Sequence, residues 1–291
     1  MKTTILVPLS VLVSGCGCLI ALPEQPNVVS GDVAIAYPSA DILQITASDR
    51  SIIDWGSFSI SPSEMTRFLQ PSSDAVVLNR VIGANLSELM GTLSANGMVY
   101  LINQNGVLIG KEGFIDTAGF VGSTLDLSNQ SFLCGDLKFE GNSEQSLTLL
   151  GTIRAKSGNV HLISHHIQNE GEINAQSGTV SLTSAHEVFL KDEKFPLVQV
   201  RVDLKSGGLE NKGSIEALNA ILQSDDPFGV ALKQEGSIRL VEEGGKILLR
   251  STGGEIQIGA SAKLQAPAGE IQVQIPDEGR PLYLLGSLDV S

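Results

Sequence analysis

Short runs in which apolar and polar residues alternate recur through residues 22–291, and Gly, Asn and Ser separate them. Alternation with a period of two is typical of strands that bury one side, and the separating residues are typical of tight turns. Aromatic residues make up only 4% of the chain, whereas glycines number 31. The pattern predicts an all-β protein built from many short strands.

A repeat of about twenty residues organises the second half of the chain. The skeleton Gly-x-Ile-x-Ala-x-Ser-Gly occupies residues 151–158 and returns at residues 171–178, and weaker copies begin at Gly213, Gly236, Gly254 and Gly269. A unit this short cannot bury its own apolar side, so successive copies must stack as coils about 4.8 Å apart. The Gly residues mark bends where a side chain would clash or where φ must be positive. The repeat predicts a parallel β-helix with Ile153, Ile173 and Ile215 in one inward ladder.

Residues 27–135 are less regular than the repeats that follow. They contain the turn dipeptides Asn96-Gly97 and Asn105-Gly106, and the intervening residues 98–102 are apolar on both sides of the predicted strand. Asn and Gly tolerate the positive φ of tight turns, so each pair predicts a turn, and the strand between them is predicted to be buried. We expect a less regular N-terminal capping region before the repeats.

The first 21 residues have the pattern of a signal peptide. Lys2 is followed by an apolar run over residues 3–13, which is too short to span a bilayer. Two cleavage modes stay open. The segment Val13-Ser14-Gly15-Cys16 resembles a lipobox, which predicts lipidation of Cys16, and an ordinary cut after a small residue such as Gly17 is the alternative. Both modes predict export through the periplasm.

The net charge limits which partners the chain can bind, and the cysteine content indicates what stabilises its fold. The chain has 19 basic and 32 acidic residues, for a net charge of −13. An acidic surface repels phosphate backbones, so nucleic acid is excluded as a partner. Cys134 stands alone in the body of the chain, so no disulfide framework is expected and the core must come from packing.

Six ordered motifs within residues 28–135 resemble one family. They lie at residues 55–58, 68–71, 77–81, 91–97, 99–106 and 122–128. In order and near-spacing they are similar to the two-partner secretion, or haemagglutination-activity, domain of filamentous haemagglutinins. The resemblance implies a right-handed parallel β-helix, with a leader over residues 1–21, a secretion domain over residues 22–135 and continuing β-helix repeats over residues 136–291.

The resemblance also implies a function. Members of this family are recognised in the periplasm by the periplasmic modules of an outer-membrane β-barrel transporter, pass through it unfolded, fold outside, and act as secreted or surface-associated adhesins. Carried onto this chain, the recognition residues are Asn79, Arg80, Asn103, Gln104, Asn105 and Gly106. The alternative, that these Asn residues serve turns and backbone contacts alone, stays open.

One motif departs from the family pattern. The Asn-Pro-Asn-Gly turn of the family is here Asn103-Gln104-Asn105-Gly106. Loss of Pro removes a fixed φ but leaves both Asn and the Gly, so we predict that the turn survives.

Enzymes built on β-helices are the runner-up class. They need converging carboxylates, and the candidates here are the pairs Asp225-Asp226 and Glu242-Glu243. Adjacent residues on a strand point to opposite faces, so neither pair converges by itself. The sequence predicts a protein that is not an enzyme and needs no cofactor. A surface module that binds host or bacterial glycans or proteins stays open as a third class.

Three histidines raise the question of a metal site. His161 and His165 share one face of a predicted strand, but at about 3.3 Å per residue they lie about 13 Å apart, too far for one ion. His166 points to the opposite face. We therefore predict no metal and expect solvated surface histidines.

Overall fold

The computed structural model describes residues 22–190, 199–201, 207–224, 230–275 and 282–291. The predicted leader with Cys16, and the carboxylate pair Asp225-Asp226, lie outside the described residues.

The described part of the chain consists of short strands and one helix of six residues, α1 (Asn129–Cys134). In chain order the strands are β1 (Asn27–Ser30), β2 (Val33–Ser39), β3 (Ile42–Ala47), β4 (Ser51–Trp55), β5 (Met65–Leu69), β6 (Val76–Val81), β7 (Ser87–Leu89), β8 (Thr92–Ala95), β9 (Met98–Ile102), β10 (Val107–Ile109), β11 (Phe114–Thr117), β12 (Gly119–Ser123), β13 (Asp126–Leu127), β14 (Leu137–Glu140), β15 (Ser146–Leu149), β16 (Thr152–Ala155), β17 (Val160–Ser164), β18 (His166–Asn169), β19 (Glu172–Ser184), β20 (Glu187–Leu190), β21 (Gln199–Arg201), β22 (Gly208–Asn211), β23 (Ser214–Ser224), β24 (Val230–Gln234), β25 (Ser237–Leu240), β26 (Lys246–Ser251), β27 (Glu255–Ile258), β28 (Lys263–Gln265), β29 (Glu270–Gln274), β30 (Leu282–Leu284) and β31 (Ser287–Asp289).

These strands stack in parallel on three faces of a solenoid. Face 1 runs from β3 through β5, β8, β11 and β16 to β31. Face 2 runs from β4 through β6, β9, β12 and β17 to β29. Face 3 runs from β7 through β10 and β15 to β30. The long strands β19 and β23 each continue from face 1 to face 2. The predicted all-β parallel β-helix is confirmed.

The inward ladder predicted from the repeat is present. Ile153 pairs with Ile173 and Ile173 pairs with Ile215 across successive coils. The three side chains are at most 1% exposed. Each burial contributes about 1.5–3 kcal/mol, which explains why the repeat keeps Ile at this position.

The Gly residues that begin the copies at residues 151, 171, 213 and 236 lie at the corner between face 3 and face 1, whereas Gly254 precedes β27 of face 3 and Gly269 precedes β29 of face 2. A Cβ added to Gly171 would lie 2.1 Å from the carbonyl oxygen of Gly151, and one added to Gly213 would lie 2.1 Å from that of Gly171. A Cβ on Gly236 would lie 2.0 Å from the carbonyl oxygen of Gly213. Close backbone approach between coils therefore explains the repeated Gly at these positions.

A ladder of buried amides lies inside face 3. Asn169 Nδ2 donates to Asn211 Oδ1 at 2.7 Å, and Asn211 Nδ2 donates to Gln234 Oε1 at 2.8 Å. Gln234 Nε2 donates to the carbonyl oxygen of Gly236 at 2.9 Å. All three amides are 0% exposed. Each coil thus supplies the partner that the buried amide of its neighbour needs.

The N-terminal end is capped by antiparallel strands. β1 pairs antiparallel with β4, and β2 pairs antiparallel with β3. These pairings cover the edges of the first coil, which matches the predicted less regular N-terminal region.

A second layer covers the outward side of face 2. β13, β14, β20 and β21 form an antiparallel sheet, called the outer sheet below. Its inner side and α1 bury an apolar cluster that contains Ile52, Leu78, Tyr100, Val121, Phe132, Phe139, Ile163 and Val188. α1 begins after the N-cap Ser128, whose Oγ accepts from Ser131 N at 3.1 Å, and ends at Gly135 with φ +76°. The sequence pattern does not predict this layer.

Candidate recognition corner

Two segments from successive coils meet at one corner of the solenoid. The loop of residues 82–86 joins β6 to β7, and the turn of residues 103–106 joins β9 to β10. Asn105 Nδ2 donates to the carbonyl oxygen of Gly83 at 2.7 Å, and Asn103 Nδ2 donates to that of Asn85 at 2.9 Å. We call this loop and this turn together the recognition corner.

Asn103 is the centre of the corner. Its side chain is 0% exposed. Oδ1 accepts from the backbone N–H of Asn105 at 2.9 Å and from Asn105 Nδ2 at 3.1 Å. Nδ2 donates to Ser87 Oγ at 3.0 Å as well as to Asn85. Asn103 thus uses both amide donors and both acceptor positions inside the fold.

The turn survives the loss of Pro, as predicted. Gly106 N donates to the carbonyl oxygen of Asn103 at 3.1 Å, and Gly106 has φ +112°, a value that favours Gly. The Gln104 side chain, at the position of the family Pro, is exposed, and its carbonyl oxygen accepts from Ser143 Oγ at 2.6 Å. Gln104 and the half-buried Asn105 are the parts of this turn that a partner can reach.

Asn79 lies on β6, in the coil before the turn, and is fully buried. Its Oδ1 accepts from Trp55 Nε1 at 3.0 Å, and its Nδ2 donates to the carbonyl oxygen of Tyr100 at 3.3 Å. Asn79 therefore satisfies the buried indole N–H and links neighbouring coils of face 2.

Arg80, the next residue on β6, joins face 2 to the outer sheet. Its Nη1 lies 3.1 Å from Asp54 Oδ1, and its Nε lies 2.9 Å from Asp126 Oδ1. Nη2 donates to the carbonyl oxygen of Leu127 at 2.6 Å, just before α1. The structure thus brings Asn103, Gln104, Asn105 and Gly106 together but directs Asn79 and Arg80 to other contacts.

The corner also contains two residues that the sequence-based analysis missed. Ile82 is 64% exposed and Leu86 is 43% exposed, both within the loop. The available signal was compositional, because residues 81–87 and 98–110 contain no charged residue in a chain with 51 of them. Apolar residues in an uncharged loop that contains Gly and Asn can be buried or exposed, so this signal alone does not predict their exposure.

The histidines differ from expectation. His161 is 6% exposed and lies on β17, in register with Val121 and Ser181. His165 is 7% exposed, and its ring centroid lies 5.1 Å from that of His186. The prediction of solvated histidines is therefore wrong for His161 and His165, because the sequence did not predict the second layer over face 2. The side chain of His166 is exposed.

Acid is expected to destabilise the fold through His161. Burial lowers the pKa of His161 from 6.5 to about 4. The unfolded chain binds this proton below pH 6.5, whereas the folded chain stays neutral down to about pH 4. The contribution of the neutral, buried His161 to the free energy of unfolding is therefore complete above pH 6.5 and is lost as the pH falls to 4. This loss amounts to about 3 kcal/mol.

Denaturant unfolding between pH 7 and pH 4 tests this expectation. His161→Leu should remove about one proton from the pH dependence of the free energy of unfolding. Equal pH dependence in the wild-type chain and in His161→Leu would contradict the expectation.

Of the two candidate carboxylate pairs, Glu242-Glu243 is the pair that the structure describes. Glu242 and Glu243 are both exposed in the turn between β25 and β26. Within the described ranges, no group of three or more His, Cys, Asp or Glu side chains is arranged to hold a metal ion. The same part of the chain contains no helix long and apolar enough to cross a bilayer.

The family model of the TPS (two-partner) secretion domain matches residues 23–247. The chain belongs to the TPS secretion domain family. The match extends through the recognition corner, the outer-sheet strands β13, β14 and β20, and the four copies of the repeat that begin at residues 151, 171, 213 and 236.

Known relatives and structures agree with this assignment. Two heme/hemopexin-binding proteins of Haemophilus influenzae are 44% identical over 110 residues and 32% identical over 208 residues, which are 38% and 67% of this chain. The matched parts are 12% and 23% of the relatives' lengths. The crystal structure of the HMW1 secretion domain from Haemophilus influenzae has a TM-score of 0.72 and 26% identity, and the match covers 92% of this chain and 84% of that domain.

A more distant structure shares the fold. The filamentous hemagglutinin secretion domain has a TM-score of 0.59 and 12% identity, with 91% of this chain and 99% of that domain covered. At this identity the likeness shows the architecture alone. The β-helix is therefore shared across TPS secretion domains of very different sequence.

Proposed function

We propose that an outer-membrane transporter recognises this TPS secretion domain in the periplasm at the recognition corner and exports the chain to the cell surface or the medium. The exported protein acts as an adhesin-like exoprotein. The observation that carries the proposal is that Asn103 and Asn105, within the family motif at residues 99–106, donate side-chain hydrogen bonds to the loop of residues 82–86, which directly follows the family motif at residues 77–81.

The six recognition residues take different parts in this proposal. Asn103 and Gly106 are buried and shape the corner, whereas Asn79 is buried inside face 2 and Arg80 holds the outer sheet. Gln104 and Asn105 are open to a partner. Lipid anchoring through Cys16 remains a separate prediction. Family membership gives no support to a stand-alone glycan-binding module or an enzyme.

Replacing Asn103 tests the proposal. Asn103→Ala should lower the stability of the refolded domain by about 2–4 kcal/mol, because buried hydrogen-bond partners are left unpaired. When a two-partner outer-membrane transporter that exports the wild-type chain is co-expressed, the Asn103→Ala variant should accumulate in the periplasm and its amount in the medium should fall about tenfold or more.

A matched control separates recognition from folding. Asn169→Ala removes a fully buried Asn of the amide ladder, outside the corner, at a similar expected cost in stability. Export of Asn169→Ala should exceed that of Asn103→Ala clearly. Equal export of the two variants, or transporter-independent release of the wild-type chain, would overturn the proposal.

A further inference from the structure

One buried imidazole lies between the solenoid and the outer sheet. His161 is 6% exposed, and its Nδ1 has no hydrogen-bond partner among the described residues. On face 2 it lies in register with Val121 on β12 and with Ser181 on β19. Buried polar side chains nearly always have partners, and an unpartnered one is costly enough to require an explanation. The proposed function gives this imidazole no part.

The outer sheet covers face 2 with apolar side chains. The buried side chains of β14 and β20 belong to the same cluster as Val121: Leu137, Phe139, Val188 and Leu190. Titratable and charged side chains border this cluster on face 2, on the outer sheet and beside β20: Asp54, Arg80, Asp126, Lys138, Glu140, Glu187, His165 and His186. Arg80 pairs with the two Asp residues, and Lys138 pairs with the two Glu residues. Among the described residues, none of these ion pairs includes His161.

A proton on His161 would place a positive charge inside this apolar layer. Such a charge is strongly unfavourable without a counter-charge, and burial accordingly lowers the pKa of His161 from 6.5 to about 4. Once the side chain reaches water, its pKa returns to the ordinary value. A proton therefore binds about 300-fold more tightly to any form of the chain in which His161 is exposed. Such a form becomes more favourable as the pH falls from 6.5 to 4.

The outer sheet can separate without damage to the solenoid. Within the described ranges its four strands pair with one another and with no strand of the three faces. The strands of face 2 keep their own backbone pairing, since β17 pairs with β12 on one side and with β19 on the other. Side-chain packing and polar contacts such as that between Arg80 and Asp126 hold the sheet in place. Opening of the sheet therefore exposes His161 and leaves the backbone ladders of the coils intact.

We propose that His161 is the proton sensor of an acid-opened layer: as the pH falls, a proton on this side chain releases the outer sheet from face 2 while the solenoid stays folded. The opened form presents the apolar stripe of face 2 to solvent. The device belongs to the folded chain, after export. It goes beyond the proposed function and does not depend on how a transporter recognises the chain.

The experiment is native-state hydrogen exchange of the refolded chain between pH 7 and pH 5, corrected for the intrinsic exchange rate at each pH. Ordinary carboxylates keep their charge in this window. The protection factors of β14 and β20 should fall about 20-fold, because the opened form binds one proton more than the closed form. They should also stay below those of the solenoid strands β16 and β26 at every pH, which shows that the sheet opens first.

Variants at two neighbouring positions separate the proton from the packing. His161→Leu cannot bind a proton, so protection of the outer sheet should change less than about twofold between pH 7 and pH 5. Should this variant misfold, His161→Gln takes its place, with a neutral polar side chain that gives the same flat profile. Val121→Ala is the matched control, because it removes an apolar contact beside His161. It should lower protection of the outer sheet at every pH and retain the 20-fold fall.

Three outcomes would overturn the acid-opening proposal. The first is a 20-fold fall in protection that persists in His161→Leu. The second is equal protection of the outer sheet and the solenoid strands in the wild-type chain, because the proton would then act through global unfolding alone. The third is a pH dependence that disappears in Asp126→Asn, which would assign the opening to the ion pair between Arg80 and Asp126.

Discussion

Gly213→Ala is expected to lower the free energy of unfolding by about 3–5 kcal/mol, near the upper end for single substitutions. The new Cβ would lie 2.1 Å from the carbonyl oxygen of Gly171 and 2.9 Å from its nitrogen. Both contacts are with backbone, so no side chain can rotate away. Relief requires the two coils to separate, which weakens the bond from Ser214 N to the same carbonyl, now 2.9 Å long.

Equilibrium unfolding in denaturant measures this loss. Gly141→Ala is the matched control, because a Cβ there meets its nearest atoms at 3.7–3.8 Å, ordinary contact distances. We expect the control to change stability by no more than about 0.5 kcal/mol. A Gly213→Ala chain as stable as the control would show that the corner between face 3 and face 1 can widen at little cost.

Asn211→Ala is expected to destabilise the fold by about 3–5 kcal/mol, because it removes the middle of the amide ladder. Asn211 accepts from Asn169 Nδ2 and donates to Gln234 Oε1, and all three amides are fully buried. Both remaining partners would then lie in the core with unpaired polar atoms. The free-energy penalty for two unpaired polar atoms in the core is several times the free energy lost with one exposed hydrogen bond.

Asn174→Ala provides the comparison for this prediction. Asn174 lies on β19, half-buried between the pairing positions of Arg154 and Glu216, outside the amide ladder. Its replacement should change the unfolding midpoint slightly. If Asn211→Ala and Asn174→Ala unfold at the same denaturant concentration, the ladder has no special part in stability.

The solenoid could be predicted from sequence because one physical requirement repeats in every coil. The Gly that precedes Ile153, Ile173 and Ile215 marks a close backbone approach, and the Ile marks the inward position that follows. Local spacing therefore predicts the stacking and the register of these three Ile residues, but not of the copies at Gly254 and Gly269, which precede strands of face 3 and face 2. The turn of residues 103–106 was predictable for the same reason, since Asn and Gly specify it within four residues.

Features that depend on contacts between distant residues could not be predicted in this way. Asn169, Asn211 and Gln234 are spaced unevenly, and nothing local distinguishes a buried amide from one in a surface turn. By its place in the alternating pattern, His161 is expected to face solvent, but in the structure the outer sheet covers it. β14 and β20 of that sheet have four residues each, so their alternation of apolar and polar residues is too short to indicate which surface they cover.

The exposed loop residues show a further limit of sequence patterns. Ile82 and Leu86 are apolar, and apolar residues are expected inside. Their exposure follows from two contacts between coils. Gly83 lies against Gly56, and the Asn103 side chain donates a hydrogen bond to the carbonyl oxygen of Asn85. The sequence identified Asn103, but the residues that it positions became visible only in the structure.

The outer sheet has a consequence for the order of folding. β14 pairs with β20, and Arg80 reaches Asp126, so the sheet connects segments that are about 50 residues apart. Contacts of such high sequence separation form late, after the local docking of coil on coil. We therefore expect the apolar stripe of face 2, which α1 covers in part, to be fully covered only after β20 has paired with β14. In native-state hydrogen exchange the outer sheet should open as a unit below the global free energy of unfolding, while the solenoid beneath it stays protected.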